Sequence, residues 1–378
     1  MKFSLLSLSA VVALSLVSAL PTGIPITYDG PVESFSDHRV IRIQVKDEAA
    51  LKALTDNEDA LSLDYFTHNK VVGAHVDVRI SPKSFETFKG LNLEYETLID
   101  NLQVLVEAEN NENKQYQLSF QKSLLENKNK FSTLADSYAA AAADTWFQGY
   151  HSFAEHQSWL QSQIANNAGK ASAISAGQSS QGRSQNGIKI GNGPNHLLVG
   201  TDSRVNGYLS KFTFHIIPVM NPDGFVISQT SNRMHRKNAQ VNGGCTGTDT
   251  NRNWSFKWGT GGSSSNPCAD DYKGPSAFSA PEARNIGNYL TSLPKVVSYI
   301  DFHSYSQLWM VPFGYTGTRP SNYAYLNGLA QSAAKALKAV NGVSFRTGDI
   351  YNTIYQASGN SADYAYSVGV GAPFAVEL

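Results

Sequence analysis

Hydrophobic and polar positions alternate in short runs along the first third of the chain. Period-two alternation predicts strands at residues 40–45, 73–80 and 93–98. Helical spacing predicts helices at 48–55, 83–89 and from 102 to about 110, and Ser81 followed by Pro82 favours a helix start. These elements are typical of a small open α/β sandwich. The segment has no cluster of catalytic residue types, so we expect it to block or chaperone the rest of the chain.

From residue 144 onward, short apolar runs lie between glycine-rich turns and alternate with helical patterns. The runs predict strands at 188–190, 196–199, 212–219, 296–302 and 373–376, and the helical patterns cover 153–166, 281–293 and 323–340. This alternation predicts an α/β fold, a β-sheet flanked by helices. Polar side chains that could form a site should collect at the strand ends of such a sheet.

The N-terminus has the pattern of a secretory signal. Lys2 precedes an apolar run over residues 3–17, and small residues stand at positions 17 and 19. A membrane anchor is the alternative, but the apolar run is too short to cross a bilayer. We therefore predict a signal peptide at residues 1–19 and a secreted, extracellular protein.

Residues 110–143 are rich in Asn, Lys, Gln and Glu and end in an alanine run, which predicts an exposed connector helix. Lys122, Lys128 and Lys130 are candidate cleavage points for a protease, although a lysine-rich helix is more often a solvated face.

Net charge and cysteine content limit the kinds of partner and of structural site that this chain is expected to have. The chain has 378 residues, 41% of them hydrophobic, and a net charge of -1, so nothing in its bulk charge favours nucleic acid or an anionic membrane. In an oxidising compartment Cys245 and Cys268 should form a disulfide. Two thiols without further ligands do not make a structural zinc site.

Arginine and asparagine residues cluster where irregular backbone is expected after the strand at 212–219. An Asn-Pro-Asp-Gly motif at 221–224 predicts a turn. Arg233 and Arg236 follow it, and Asn251 and Arg252 lie between the two cysteines. A single arginine is usually a surface residue. Their grouping favours a carboxylate-binding pocket, because guanidinium binds carboxylate in a fork.

Two further residues end apolar strands. His303 follows the strand at 296–302, where it is either a hydrogen-bonded core histidine or a metal ligand. Glu377 follows the apolar run at 373–376. A carboxylate is costly there unless a cation or metal is near, so we predict a general base.

In order and spacing, these motifs resemble those of the pancreatic-type (A/B) zinc metallocarboxypeptidases, in a fungal-like secreted form. The resemblance runs over nearly all of the second part of the chain, and the first part is similar to that family's inhibitory propeptide. The matching segments are Gly177 to Arg183, Asn221 to Phe225, Asn251 to Trp254, His303 to Gln307, Ile354 to Gly359 and Phe374 to Leu378. The resemblance implies a mixed sheet, a propeptide with connector at 20–142 and a carboxypeptidase domain at 143–378.

The resemblance also implies roles for single residues. A water on Zn2+ would attack the last peptide carbonyl, with Glu377 as the base and Arg236 stabilising the oxyanion. Groups on Asn251, Arg252 and Tyr355 would hold the terminal carboxylate, and His303 would be the third zinc ligand. Tyr305 and Arg233 would line the cleft. The small, uncharged Ala362 would face the terminal side chain, which implies a preference for aliphatic or aromatic residues.

The sequence departs from the family at the metal site. The family takes two zinc ligands from a His-x-x-Glu motif, and none of the nine histidines here has Glu three residues later. His151 and Glu155 are spaced i and i+4, and we interpret them as a surface pair. With His303 alone, zinc binding should be weak or lost. We expect an internal deletion after Gly200 and a C-terminal deletion after Leu378, as in an incomplete or mis-spliced gene product.

The leading hypothesis is thus a secreted carboxypeptidase made as a zymogen, impaired in this form. The partners would be peptide or protein C-termini and an activating protease, with no nucleic acid or membrane, and the protein would be a monomer. The alternative is a non-catalytic protein that still binds peptide C-termini. A serine hydrolase is disfavoured because the chain has no Gly-x-Ser-x-Gly motif.

Overall fold

A computed structural model describes residues 32–67, 70–128, 146–193, 195–198 and 208–378. The predicted signal peptide, Lys130, the alanine run and the junction after Gly200 lie outside these ranges. Among the helices of these ranges, none combines the length and the apolar character that a bilayer-spanning segment needs.

The N-terminal domain is an open sandwich, as the alternating pattern predicts. Its antiparallel sheet has the order β2-β3-β1-β4. The buried faces of β1 and β3 supply Ile41, Ile43, Val76 and Val78 to one core, which two helices cover. The elements are β1 (Arg39–Gln44), α1 (Glu48–Leu61), β2 (Asp64–Tyr65), β3 (His75–Ile80), α2 (Pro82–Lys89) and β4 (Tyr95–Ile99).

Local sequence signals set the helix starts of this domain. The Asp47 side chain accepts a hydrogen bond from the Ala50 N–H at the start of α1. Ser81 caps α2 in the same way through the Ser84 N–H, and Pro82 occupies the first turn, where its missing N–H costs nothing. The predicted start of α2 is confirmed.

The next helix is better packed than predicted. Helix α3 (Leu102–Lys128) runs well past residue 110. Our interpretation of residues 110–143 as exposed is wrong at Phe120, which is 1% exposed and packs against Trp146. A single buried aromatic side chain can dock a helix whose other residues are mostly polar. The overall polar composition of residues 110–143 does not predict this contact.

The same cluster corrects the interpretation of His151 as a surface residue. The His151 ring is 2% exposed and stacks on Trp146 with ring centroids 3.5 Å apart. Its Nε2 atom lies 2.7 Å from the Tyr116 hydroxyl of α3. Glu155 instead closes a capping box with Ser152 at the start of the following helix. Helical spacing alone could not predict that His151 packs against the rings of Tyr116, Phe120 and Trp146.

The C-terminal domain contains a mixed eight-stranded sheet of order β13-β12-β14-β11-β7-β8-β6-β5. Strands β14, β11, β7 and β8 run parallel at its centre, and β5 and β6 are antiparallel to their neighbours. Its strands are β5 (Ala171–Gln178), β6 (Ser184–Ile190), β7 (Asn195–Leu198), β8 (Phe212–Ile216), β11 (Val296–His303), β12 (Leu308–Val311), β13 (Arg346–Asp349) and β14 (Ala372–Glu377).

Helices flank this sheet and bury its apolar residues in separate clusters. Trp254, Ile286, Leu290 and Tyr299 are part of one cluster, and Leu326, Phe374 and Val376 are part of another. The helices are α4 (Phe153–Asn166), α5 (Pro222–Thr230), α6 (Pro281–Ser292), α7 (Tyr323–Asn341), α8 (Ile350–Thr353) and α9 (Ser361–Ser367).

The Asn-Pro-Asp-Gly motif begins a helix, so the predicted isolated turn is wrong. The Asn221 side chain accepts from the Gly224 N–H, and Pro222 takes the first helical position of α5. Asn and Pro suit a helix start as well as a turn, and only the residues beyond the motif decide between them.

The predicted disulfide is present. Cys245 and Cys268 are bonded, with their Cα atoms 5.2 Å apart. Cys245 lies on a two-residue strand, β10 (Cys245–Thr246), which pairs with β9 (Val241–Asn242). The bond closes the loop that carries Asn251 and Arg252, so it braces the segment where we expect carboxylate recognition.

Candidate active site

Two strand ends place the first predicted site residues side by side. Strands β11 and β14 are parallel neighbours, and their register sets His303 opposite Glu377. Both residues end their strands at the same edge of the sheet, where polar side chains leave the apolar core. The prediction that these two residues belong to one site gains a geometric basis here.

A hydrogen-bond network ties His303 to the disulfide loop. Its Nε2 atom lies 2.9 Å from Oδ2 of Asp301 and 3.2 Å from Nδ2 of Asn251. The Ser361 N–H donates to Oδ1 of Asn251 at 2.9 Å, and the Ser361 hydroxyl donates to Asp301 at 2.5 Å. The first turn of α9 thus connects the carboxylate-binding candidate to the histidine.

The loop within the disulfide carries a pair of buried charges. Asp249 is 2% exposed and accepts a hydrogen bond from Nε of Arg236 at 2.9 Å. Arg252 is 3% exposed, donates from Nε to the Gly262 carbonyl at 3.0 Å and from Nη1 to the Asn251 carbonyl at 3.0 Å. Its guanidinium carbon lies 5.6 Å from the ring centroid of Tyr355, within range of a cation–π contact.

The charges of the site balance one another. Burial alone would raise the pKa of Asp301, but His303 and Ser361 hold it below the usual value. Burial lowers the pKa of His303, but the carboxylates of Asp301 and Glu377 together hold it above the usual value. Burial also raises the pKa of Glu377, against the opposing effect of His303 and Arg236.

Ala362 lies in an apolar cluster beside these polar groups. It is 1% exposed and packs with Leu308, Met310, Ile350 and Ala375, and Ile354 is packed against them. Two of these side chains are single methyl groups, and the cluster itself contains no charged residue. The apolar cluster is thus joined to the polar network through Ser361, the residue before Ala362, which hydrogen-bonds to Asn251 and Asp301.

The two domains enclose a cavity over the site. It has a volume of about 1120 Å³ and is lined by Arg236, Tyr355 and Glu377 on one side and by residues of β3 and α3 on the other. Tyr305, 62% exposed, also lines it. Arg233 reaches the same cavity, but Glu109 of α3 binds its guanidinium in a fork at 2.5 and 2.7 Å.

Comparison with known proteins assigns this arrangement to a family. The chain matches the zinc carboxypeptidase family over residues 195–378 and the carboxypeptidase activation peptide over residues 41–109. It is 32% identical to carboxypeptidase A2 of Rattus norvegicus over 382 residues, which cover 92% of this chain and 87% of that protein. The chain belongs to the zinc carboxypeptidase family. The resemblance inferred from the motifs is thereby confirmed.

Other relatives agree. A metallocarboxypeptidase A-like protein of Trichophyton verrucosum is 32% identical over 413 residues, covering 99% of this chain and 92% of that protein. The crystal structure of carboxypeptidase A from Helicoverpa armigera shares the fold, with a TM-score of 0.75 and 24% identity over 92% of this chain and 89% of that one. The carboxypeptidase fold with its activation domain is therefore shown for this chain, and the N-terminal domain is the activation peptide.

The residues that the structure describes do not fit the zinc that the family name implies. A catalytic zinc site uses three protein ligands, commonly two histidines and a glutamate. The described ranges contain no group of three or more His, Cys, Asp and Glu side chains arranged to hold a metal ion. The Nε2 atom of His303 is already directed at Asp301. The chain has no His-x-x-Glu motif, and His303 stays the one zinc ligand that the sequence predicts.

The structure adds site residues that sequence reasoning missed. Asp249 precedes Asn251 by two positions and caps the turn that presents it. Asp301 precedes His303 by two positions on one strand, and so faces the same side of the sheet. The Asp-x-His spacing on a strand was a readable signal. Ser361 gave no signal, because its partners are 60 and 110 residues away.

Proposed function

We propose that this chain is a secreted carboxypeptidase zymogen whose site selects peptides that end in an aliphatic or aromatic residue with a free carboxylate. We further propose that this polypeptide hydrolyses such peptides poorly, because it keeps one of three zinc ligands. The observation that carries the first proposal is the hydrogen-bond network that joins Asn251, next to Arg252 in the disulfide loop, to His303 and Ser361, which precedes Ala362 and its apolar cluster.

Charge supports carboxylate recognition. Two guanidinium groups, those of Arg236 and Arg252, lie near the buried carboxylate of Asp249 and hold its pKa below the usual value in spite of burial. Guanidinium binds a carboxylate with charge-assisted hydrogen bonds worth about 1.5–3 kcal/mol each. Replacing the ligand carboxylate by an amide removes that charge and leaves its shape.

Shape and polarity support selection of an apolar terminal side chain. A charged residue would have to leave water for a wall of Leu, Met, Ile and Ala side chains with no partner for its charge. An aromatic or aliphatic side chain gains about 25 cal/mol for each Å² of apolar surface that it buries there.

The relatives named above are carboxypeptidases, which favours an enzyme over a non-catalytic peptide-binding protein. Their alignments also support an internal deletion. A 413-residue alignment that uses 99% of this 378-residue chain must contain positions at which this chain has no residue. Sequencing the transcript tests the deletion: a His-x-x-Glu segment between Gly200 and Thr201 supports it, and an unbroken read refutes it.

Small ligands suit the test of specificity, because they can enter the cavity of the intact chain. Calorimetry should show that the full chain binds N-acetyl-phenylalanine at least about tenfold more tightly than N-acetyl-phenylalaninamide. N-acetyl-lysine should bind more weakly than N-acetyl-phenylalanine. The variant Ala362→Asp should reverse that last order, and Ala334→Asp, which alters a buried alanine of α7, is the matched control that should keep it. Equal binding of acid and amide by the wild type would refute carboxylate recognition.

A further inference from the structure

A forked salt bridge joins the activation peptide to the wall of the cavity over the site. Glu109 of α3 accepts hydrogen bonds from Nε and Nη2 of Arg233, at 2.5 and 2.7 Å. Two parallel contacts of this kind are the geometry in which a guanidinium group recognises a carboxylate. The hydrogen bonds from Arg233 lower the pKa of Glu109, so this carboxylate is ionised at neutral pH.

Glu109 belongs to the part of the chain that leaves when such a zymogen is activated. It is the last residue of the matched activation peptide, residues 41–109. Among the residues that the structure describes, Arg233 makes no ion pair other than the one with Glu109. The Arg233 side chain is 41% exposed even with the activation peptide in place. Loss of Glu109 therefore leaves a guanidinium group with an open fork on the cavity wall.

The same salt bridge contributes little to holding the activation peptide in place. Its two side chains are 41% and 29% exposed, and ion pairs that water reaches stabilise weakly. Apolar contacts do more, because Met234, the neighbour of Arg233, packs against a buried cluster of the N-terminal domain, Phe35, Leu102 and Val106. Docking of the activation peptide therefore depends little on the fork between Arg233 and Glu109.

Arg233 lies where the upstream part of a bound peptide would run. The cavity that it lines, of about 1120 Å³, also contains Arg236 and Glu377. Tyr355 lines both this cavity and a smaller one, of about 460 Å³, that contains Arg252. A peptide whose terminal carboxylate is held at Arg252 and Tyr355 therefore extends its preceding residues into the larger cavity.

We propose that Arg233 is a specificity-determining residue, which binds the side-chain carboxylate of an Asp or Glu that precedes the terminal residue of a peptide ligand. In the zymogen, Glu109 occupies this position. The inference rests on the proposed function, because the peptide must also be held by its terminal carboxylate. It narrows the ligand class to peptides with an acidic residue before an aliphatic or aromatic C-terminus.

The test uses the full chain, in which removal of one carboxylate opens the fork of Arg233. Calorimetry compares N-acetyl-Glu-Glu-Phe with N-acetyl-Gln-Gln-Phe, which have the same shape and differ in charge at both positions before Phe. The wild-type chain should show no preference for the acidic peptide, because Glu109 already occupies the fork. Glu109→Ala should bind the acidic peptide about fivefold more tightly, the effect of one partly exposed bidentate pair.

The matched control is Glu107→Ala. It removes an exposed glutamate of the same helix, which accepts a hydrogen bond from Gln103 and makes none with Arg233, and it should create no preference. In the Glu109→Ala chain, the preference should also shrink as sodium chloride rises from about 0.05 to about 0.5 M, because salt screens the two charges.

A second substitution assigns the effect to Arg233. In the double variant of Glu109→Ala with Arg233→Met, the preference for the acidic peptide should return to less than about twofold. If Glu109→Ala does not fold, Glu109→Gln replaces it in the same comparison. If N-acetyl-Gln-Gln-Phe binds no more tightly than its C-terminal amide, the proposed function fails instead. A folded Glu109→Ala chain without preference, or a fivefold preference that survives Arg233→Met, would overturn the proposal.

Discussion

Replacing Phe120 by alanine should undock the second half of α3 from the C-terminal domain. The Phe120 side chain is 1% exposed and contacts the rings of Tyr116, Trp146 and His151, with centroids 6.0, 5.7 and 4.8 Å away. A fully buried phenylalanine contributes about 3–5 kcal/mol relative to alanine, through lost transfer energy and the cavity left behind. A helix this polar has few other apolar contacts to compensate for the loss.

Limited proteolysis of the full chain measures this undocking. The rate of cutting within α3 should rise by at least about a hundredfold in Phe120→Ala, since about 3 kcal/mol corresponds to that change in the population of the open form. Leu118→Ala lies in the same helix, is 55% exposed in the wild type, and should change the rate by less than about threefold. Equal rates for the two variants would refute the view that an aromatic cluster holds α3.

Three further predictions concern stability. Burial and the neighbouring Asp64 raise the pKa of Asp270 from 3.8 to about 8, so the folded state retains this proton. Stability should therefore fall as the pH rises from about 4 to 8. Melting curves of Asp270→Asn should lack that part of the fall. Changing Cys245 and Cys268 to serine should cost about 2–4 kcal/mol in urea unfolding, and no change would contradict the bracing role of the bond. Gly359 has φ of +65°, and a Cβ there would meet the Arg252 carbonyl oxygen at 2.5 Å. Gly369 is the control, because its φ is +91° and no atom lies within 4 Å of an added Cβ. Gly359→Ala should lower the melting temperature more than Gly369→Ala, and equal losses would contradict this.

The sign of the pH effect follows from the groups around Asp270. It faces Asp64 of the activation peptide, while Lys237 and Arg79 lower its pKa by smaller amounts. Arg79 is itself bound to Asp64 at 2.8 Å. The protonated form of Asp270 is therefore favoured in the folded state, and ionisation at higher pH sets two carboxylates against each other at the boundary of the two domains.

Much of the fold could be predicted because its elements carry local signals. Strands β1 and β3 alternate cleanly, and α2 begins at a capping serine followed by proline. Failures occurred where distant partners decide the structure. The burial of Phe120 depends on Trp146, and the burial of His151 depends on the same rings, none of which a local pattern includes.

The site residues also fall into two groups, those that sequence motifs mark and those whose roles depend on distant contacts. Sequence order was enough to propose Arg236, Asn251, Arg252, His303 and Glu377 together, because the family motifs mark them. The residues that connect them, Asp249 and Ser361, could not be assigned roles, since their contacts depend on how the disulfide loop and α9 approach the sheet. The lack of a His-x-x-Glu motif was visible from the sequence alone.

One comparison tests the central claim, that this chain retains carboxylate recognition but not the metal site. The affinity of the full chain for N-acetyl-phenylalanine is measured by calorimetry once in EDTA and once with added zinc. We predict the same dissociation constant in both, within about twofold, because arginine and amide groups bind the ligand. Binding that disappears in EDTA and returns with stoichiometric zinc would contradict the account.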